Sequence, residues 1–423
     1  MSSKLSLGLF LLLCLLFVPI YSQTGWFDVN ANVSDDLYSI FFLNTNTGYI
    51  CGNSGRLLKS INAGQNWDTL NTPNYSHNLY SIYFINQFTG LVVGQYCLYK
   101  TTNSGINWTF LSAFNSFNAK KITFINENTG FAVGNYKMGK TTNAGASWEF
   151  ISYSDDYLID IFFINNLTGY LVNDPIMRCE ILKTTNAGIN WYLSYNIDCY
   201  ACRSVHHPNE NFRYIIGSDC YITNYVSRFY GTSNGGAYWF NTNLGENRFY
   251  GIYFTSSLTG YASGDNGIIL KTADGGLNWH NQTSGIGGPP LYIVLFLNEN
   301  TGFVIGGNGK IKKTTNGGGP IGINKISNEI PIELKLYQNY PNPFNPVTKI
   351  RFSLTNPLKG EIQDVRLVIY DILGREISTL VNEKLSAGIY QIEFDGSQYS
   401  SGIYFYRLKH GDIVFAKKMV LIK

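Results

Sequence analysis

A tryptophan recurs along the N-terminal part of this chain at a nearly fixed interval, and that interval limits the fold more than any other feature. Trp67, Trp108, Trp148, Trp191, Trp239 and Trp279 stand 41, 40, 43, 48 and 40 residues apart. Each closes a segment of one plan. An apolar run comes first, such as Leu37-Tyr38-Ser39-Ile40-Phe41-Phe42-Leu43, then a polar turn ending in Thr47-Gly48. A short strand, a second turn and a Lys-bearing third strand follow. A turn of the type Thr-Thr-Asn-Ala-Gly then leads into a fourth strand that opens at Asn-Trp. Four short strands per unit of about 40 residues predict an all-β fold, a seven-bladed β-propeller. The runs are too short and too rich in turn residues for a helical solenoid.

The turn chemistry explains its own residues. Asn62, Asn103, Asn143, Asn186, Asn234, Asp274 and Asn316 occupy one position, where the side chain bonds backbone further on. The glycine after it allows positive φ. The Trp is an apolar plate packed between hairpins. Six turns end in Trp, but the seventh, "KTTNGGGPI" at 313–321, has Ile321 there. One Trp of the seven is unassigned, Trp26, in "GWFDVN" ahead of the first unit. It is expected to supply the missing fourth strand, so that an N-terminal strand closes the propeller and removes two sheet edges. Pro320 then marks the exit from the repeat.

Residues 1–22 read as a signal peptide, with Lys4 before an apolar run too short to span a bilayer comfortably. Cys14 lies within that run, and Leu13 before it argues against a lipoprotein site. No other run is apolar enough for a transmembrane segment. Charged residues are 14% and the formal charge is +3, which gives no reason to expect a nucleic-acid partner. Export makes disulfides the default for Cys51, Cys97, Cys179, Cys199, Cys202 and Cys220, all of which map to one face of the disc. A four-thiolate zinc site at Cys179, Cys199, Cys202 and Cys220 has only one short pair and is the lesser reading; no metal or cofactor is expected. His206 and His207 read as a loop pair beside Pro208.

The repeat gives way to a different composition. After a linker at 322–331, residues 332–423 hold alternating strands with Gly and Asn turns, a small Ig-like β-sandwich. They carry Tyr340-Pro341-Asn342-Pro343-Phe344-Asn345-Pro346, Leu373-Gly374, Ala387-Gly388, Ser401-Gly402 and the terminal Lys417-Lys418-Met419. In these residues the segment resembles the type A C-terminal sorting domain of the type IX secretion system. That resemblance implies the type IX machinery as partner, with periplasmic transit followed by secretion or attachment to the outer surface. The unit at 23–321 resembles the photosystem II assembly factor type of repeat, and its turn resembles the Asp-box, a structural turn in the families that carry it.

No catalytic set can be assembled. Sialidases share the Asp-box and need three converging arginines; Arg56, Arg178, Arg203, Arg213, Arg228 and Arg248 lie mostly in the irregular units. No paired-carboxylate spacing, phosphate loop or Ser/His/Asp arrangement is legible. The expected function is therefore a non-enzymatic binding module for an extracellular protein or glycan. The alternative is an Asp-box-type, sialidase-like glycoside hydrolase. Candidate binding residues are Tyr96, Tyr136, Asp174, Asp219 and Asp265 in second-to-third-strand turns, with Tyr75 and Tyr200 in connections between units.

Overall fold

Each unit forms an antiparallel sheet whose strands lie side by side in chain order. The computed structural model describes residues 25–71, 77–174, 179–197, 199, 201–221, 224–282, 288–318, 323–327, 331–355, 363–385, 387–396 and 399–423. The signal segment, Tyr75, Arg178, Tyr200, Pro320 and Ile321 fall outside these residues. Asp174, Asp219 and Cys220 are described by backbone alone.

The first sheet runs Leu37–Phe42, Gly48–Gly52, Leu57–Ser60, Asp68–Thr69. Units starting at Leu79–Phe84, Ala201–His206 and Phe249–Phe254 repeat that order. The two units between Ala119–Phe124 and Tyr192–Ile197 merge instead into one six-stranded sheet. There the strand Glu149–Phe163 ends one unit and starts the next without a break. The last sheet holds Leu291–Phe296, Gly302–Gly306 and Ile311–Thr314, and its fourth strand comes from the front of the chain. Phe27 pairs with Lys313 and Asp28 with Lys312. Trp26 meets Phe296 edge-on at 5.7 Å and Tyr261 at 6.2 Å. The first strands pack on one another in sequence, and Leu37–Phe42 packs also on Leu291–Phe296 and Gly302–Gly306, so the row returns on itself.

A repeated close contact sets the spacing between strands. A Cβ placed on Gly48, Gly90, Gly130, Gly169, Gly260 or Gly302 would lie 2.5–2.7 Å from the ring of Phe42, Phe84, Phe124, Phe163, Phe254 or Phe296 respectively. Only glycine admits the ring there, which explains the Thr-Gly turns. The Asn turns follow the expected chemistry. Gly105 N donates to Thr101 Oγ1 at 3.0 Å and Asn107 N to Asn103 Oδ1 at 2.9 Å. The residue before the glycine is left-handed too: Ala63, Ser104, Ala144 and Ala187 have φ between 55° and 60°. The repeated lysine stitches sheets together, a role not read from the sequence. Lys59 donates to Ser104 O at 2.9 Å, Lys100 to Ala144 O at 2.8 Å, and Lys313 to Ala63 O at 2.7 Å, joining last sheet to first.

The cysteines divide. Cys179 and Cys202 form a disulfide with Cα atoms 5.8 Å apart, and Cys199 Sγ lies within 4.8 Å of both sulfurs. Cys51 and Cys97 correct the expectation of a further bridge. Both are buried thiols in one apolar cluster with Leu57, Leu79 and Val92, and Cys51 Sγ donates to Leu79 O at 3.4 Å. They pack as small hydrophobes. Burial pushes the Cys51 thiol well up and that of Cys97 up to about 12.

The C-terminal part has two four-stranded sheets around one core. One orders Ile323–Ser327, Gly388–Asp395, Val347–Leu354, Lys335–Leu336; the other Glu376–Leu385, Gln363–Tyr370, Gly402–His410, Ile413–Leu421. The segment read as a linker is in part an edge strand: Ile323–Ser327 pairs with Gly388–Asp395, so 323–327 belongs with this body. The Pro-rich motif ties the chain end in place. Phe344 is buried, its N–H donates to Val420 O, and Asn342 Oδ1 accepts from Val420 N at 2.9 Å. Lys418 sits in the terminal strand opposite Phe405, while Tyr340 projects outward.

Candidate functional site: the mouth and channel inside the ring of sheets

Every first strand carries an irregularity at one position. Pairing with the second strand shifts between Leu37 and Ser39, Leu79 and Ser81, Ala119 and Lys121, Leu158 and Asp160, Cys202 and Ser204, Phe249 and Gly251, and Leu291 and Ile293. A bulge opposes two residues to one and re-aims side chains. Here the shift recurs at the same place in each first strand.

The residues skipped by these pairings are termed the upper tier, in chain order Tyr38, Tyr80, Lys120, Ile159, Arg203, Tyr250 and Tyr292; of these, Ile159 packs against the apolar cluster of Tyr170 and Val172. The tyrosines form an arc. Ring centroids are 5.6 Å apart for Tyr38 and Tyr80, 5.7 Å for Tyr38 and Tyr292, and 5.5 Å for Tyr250 and Tyr292. Lys120 Nζ lies 3.6 Å over the Tyr80 ring. Acids behind the arc hold its hydroxyls: Tyr250 donates to Asp265 Oδ1 at 2.8 Å and Tyr292 to Asp36 Oδ2 at 3.4 Å. Burial first, then Asp36, pushes Tyr38 and Tyr292 up to about 12. These phenols stay protonated and the rings stay aimed.

The second tier is polar. Ser39, Ser81, Lys121 and Asp160 line a cavity of about 360 Å³ together with Phe41, Tyr83, Phe162 and His206. Ser39 Oγ accepts from Ile82 N at 3.4 Å, Ser81 Oγ from Ile122 N at 3.2 Å, and Ser204 Oγ from Ile252 N at 3.3 Å. Each serine proton remains to donate. Lys121 Nζ lies 3.7 Å from Asp160 Oδ1, and Asp160 is 16% exposed. Burial pushes the Asp160 carboxyl up, against the pull of Lys121. His206 Nδ1 accepts from Phe254 N at 3.2 Å, which leaves the proton on Nε2. Burial, then Lys121, lowers His206 to about 4.

The loop-pair reading of the histidines is thus replaced. His206 ends the strand Ala201–His206, and His207 stacks on Phe162 with centroids 3.5 Å apart. Of the candidate residues, Asp265 joins the mouth through Tyr250. Tyr96 and Tyr136 are exposed rim residues with φ of 57° and 60°, and Tyr136 leans on Tyr157 at 4.9 Å. Asp174 and Asp219 lie within strands Gly169–Asp174 and Arg213–Tyr221. Sequence reading missed both tiers. The signal was present as the second and third residues of each apolar run, but an alternating strand would point only one of them inward.

Residues 338–423 match the family "Secretion system C-terminal sorting domain", and residues 18–117 match "Photosynthesis system II assembly factor YCF48". No curated protein matches the chain in sequence. Among solved structures it is similar to YCF48 from Cyanidioschyzon merolae, with TM-score 0.58 and 16% identity over 69% of this chain and 98% of that one. YCF48 bound to a D1 peptide gives 0.57 and 15%, over 69% and 97%. The extracellular domain of a putative one component system, BT4673 from B. thetaiotaomicron, gives 0.51 and 10%, over 95% and 60%. These likenesses show a β-propeller fold. No helix among the described residues is long and apolar enough to cross a membrane. The chain therefore carries a secretion system C-terminal sorting domain at 338–423, which supports sorting by the type IX system, behind a β-propeller whose residues 18–117 match the YCF48 assembly-factor family.

Proposed function

We propose that this is an exported binding protein, a seven-bladed propeller closed by the Trp26 segment, which takes its ligand at the tyrosine-lined mouth. The pairing of Phe27 with Lys313, reinforced by Asp28 at 3.0 Å from Lys312 and 3.4 Å from Lys310, supports closure and a rigid frame. The observation that carries the functional reading is the upper tier itself. Four tyrosines from four different sheets converge, an arrangement that offers large contact area at small entropy cost. Signal-peptide transit through the periplasm and delivery to the surface by the 332–423 domain complete the route. That a related propeller has been solved with a peptide supports an open mouth as a docking place. Hydrolysis of a glycoside needs two carboxylates across the bond. Among the described residues lining the cavity, Asp160 is the single carboxylate, which favours binding over catalysis.

The test is an array of peptides and glycans probed with the full mature chain. Binding is expected, and Tyr38→Ala with Tyr80→Ala is expected to abolish it while the unfolding temperature stays close to that of the parent. Binding that survives both changes places the site elsewhere. For export, removal of 322–423 is expected to retain the protein inside the cell; unchanged surface delivery rules out the sorting role.

A further inference from the structure

We infer that the cavity below the mouth takes a neutral sugar, the terminal pyranose of a glycan whose next residues lie along the tyrosine arc. This rests on the mouth being the binding site and adds the ligand's chemical class. Three properties point to a pyranose.

The polar tier is balanced. Lys121 and Asp160 face each other at 3.7 Å, so the wall presents one positive and one negative group and selects against a ligand with net charge. A free carboxylate or ammonium entering would have to displace one partner of that pair.

The tier also offers donors and an acceptor in the mixture that hydroxyl groups need. Ser39 and Ser81 on the cavity wall have their oxygens engaged by Ile82 N and Ile122 N, and so can donate. His206 presents Nε2–H because Nδ1 accepts from Phe254 N. Asp160 Oδ1 already accepts from Ile161 N at 2.9 Å, which fixes the carboxylate and leaves Oδ2 to accept a sugar hydroxyl. A sugar hydroxyl both donates and accepts. A peptide backbone, with its alternating donors and acceptors in an extended line, has no match to a ring of separate hydroxyls.

Aromatic rings share the cavity wall with the polar residues: Phe41, Tyr83 and Phe162 line it, and Tyr38 and Tyr80 directly precede its Ser39 and Ser81 in the chain. The C–H faces of a pyranose pack on such rings while its hydroxyl edge meets the polar tier. The cavity's volume of about 360 Å³ falls in the range of roughly 300–1,000 Å³ typical of small-molecule sites.

Saturation-transfer NMR on the full mature chain tests the assignment. The probes are glucose, galactose, mannose and xylose, with acetate and a random peptide pool as comparisons. At least one neutral sugar is expected to bind, acetate is not, and Asp160→Asn and Lys121→Met are each expected to weaken the sugar at least tenfold. Lys121 is more exposed than Asp160, so Lys121→Met carries the test if Asp160→Asn fails to fold by tryptophan fluorescence. Sugar binding unchanged in a folded variant overturns the cavity assignment. Peptide binding lost with Tyr38→Ala, with no sugar bound, overturns the sugar class and leaves the mouth reading intact. If nothing binds, both fall.

Discussion

The fifth unit breaks the Phe-on-Gly rule, and repairing it should be measurable. Where the other sheets have glycine, this one has Arg213; where they have phenylalanine, it has His207. Arg213 is 3% exposed, its guanidinium lies 4.1 Å from the Tyr170 ring and bonds the Tyr170 hydroxyl, and its Nε and Nη1 have no partner among the described residues. Both ring nitrogens of His207 are likewise buried without one, and burial holds its pKa well below the usual range. His207→Phe alone places a ring against a residue that has a Cβ, where the other sheets leave only 2.5–2.7 Å. Overpacking of that kind costs about 1–3 kcal/mol. Arg213→Gly alone relieves two unpartnered donors but leaves a hole beside the smaller imidazole, for a net loss of about 1–2 kcal/mol. Together the two changes rebuild the pair, and the double variant should be at least as stable as the parent. The coupling is then about 2 kcal/mol or more in the favourable direction. Tryptophan fluorescence in a urea titration reads this cleanly, because all seven Trp lie between positions 26 and 279, outside the sorting domain. Single effects that add within about 0.5 kcal/mol would refute the reasoning.

Three further outcomes are expected. Trp26→Ala removes the edge-on contacts with Phe296 and Tyr261 and should lower propeller stability by about 2–4 kcal/mol in the same urea assay; a change under about 0.5 kcal/mol would mean that the N-terminal strand does not close the ring. His206 has an ordinary value of 6.5 and a folded value of about 4, so the unfolded chain binds its proton first. Its contribution is complete above pH 6.5 and is lost as pH falls toward 4, about 3 kcal/mol in all, with His207 acting in the same direction; a flat stability between pH 7 and 4.5 would contradict the burial of both. Non-reducing peptide mapping should recover Cys179 linked to Cys202, while Cys51 and Cys97 react with iodoacetamide only after denaturation; labelling of either in the native protein would refute their packing.

Much of the frame was legible because its chemistry is local. A turn needs Thr, Asn and Gly within four residues, so Thr101, Asn103 and Gly105 announce themselves in the chain, as do Trp108 and its counterparts. The displaced fourth strand was legible by elimination, from one Trp too many at the front and one too few at the end. The sorting domain was legible through Tyr340 to Pro346, whose Asn342 and Phe344 hold the last strand. The Thr-Gly glycines were visible too, though not their reason, since the phenylalanine that needs the space lies on the preceding strand.

The site depended on contacts between units, which no local pattern records. The bulge at Tyr38 is a mismatch between two strands, which neither strand records alone. The pairing of Lys121 with Asp160 joins neighbouring units, and the tyrosine arc joins the first two units to the last two. Cys51 and Cys97 show the same limit from the other side: composition and compartment argued for a bond, and the geometry of packing between sheets kept two thiols. The sequence by itself determined the turns, the all-β repeat and the export domain, because their residues lie close together in the chain and hydrogen bonding within a few residues fixes the turns. Tertiary structure alone decided which side chains of different units meet, because that depends on how the first strands are rotated and staggered against one another.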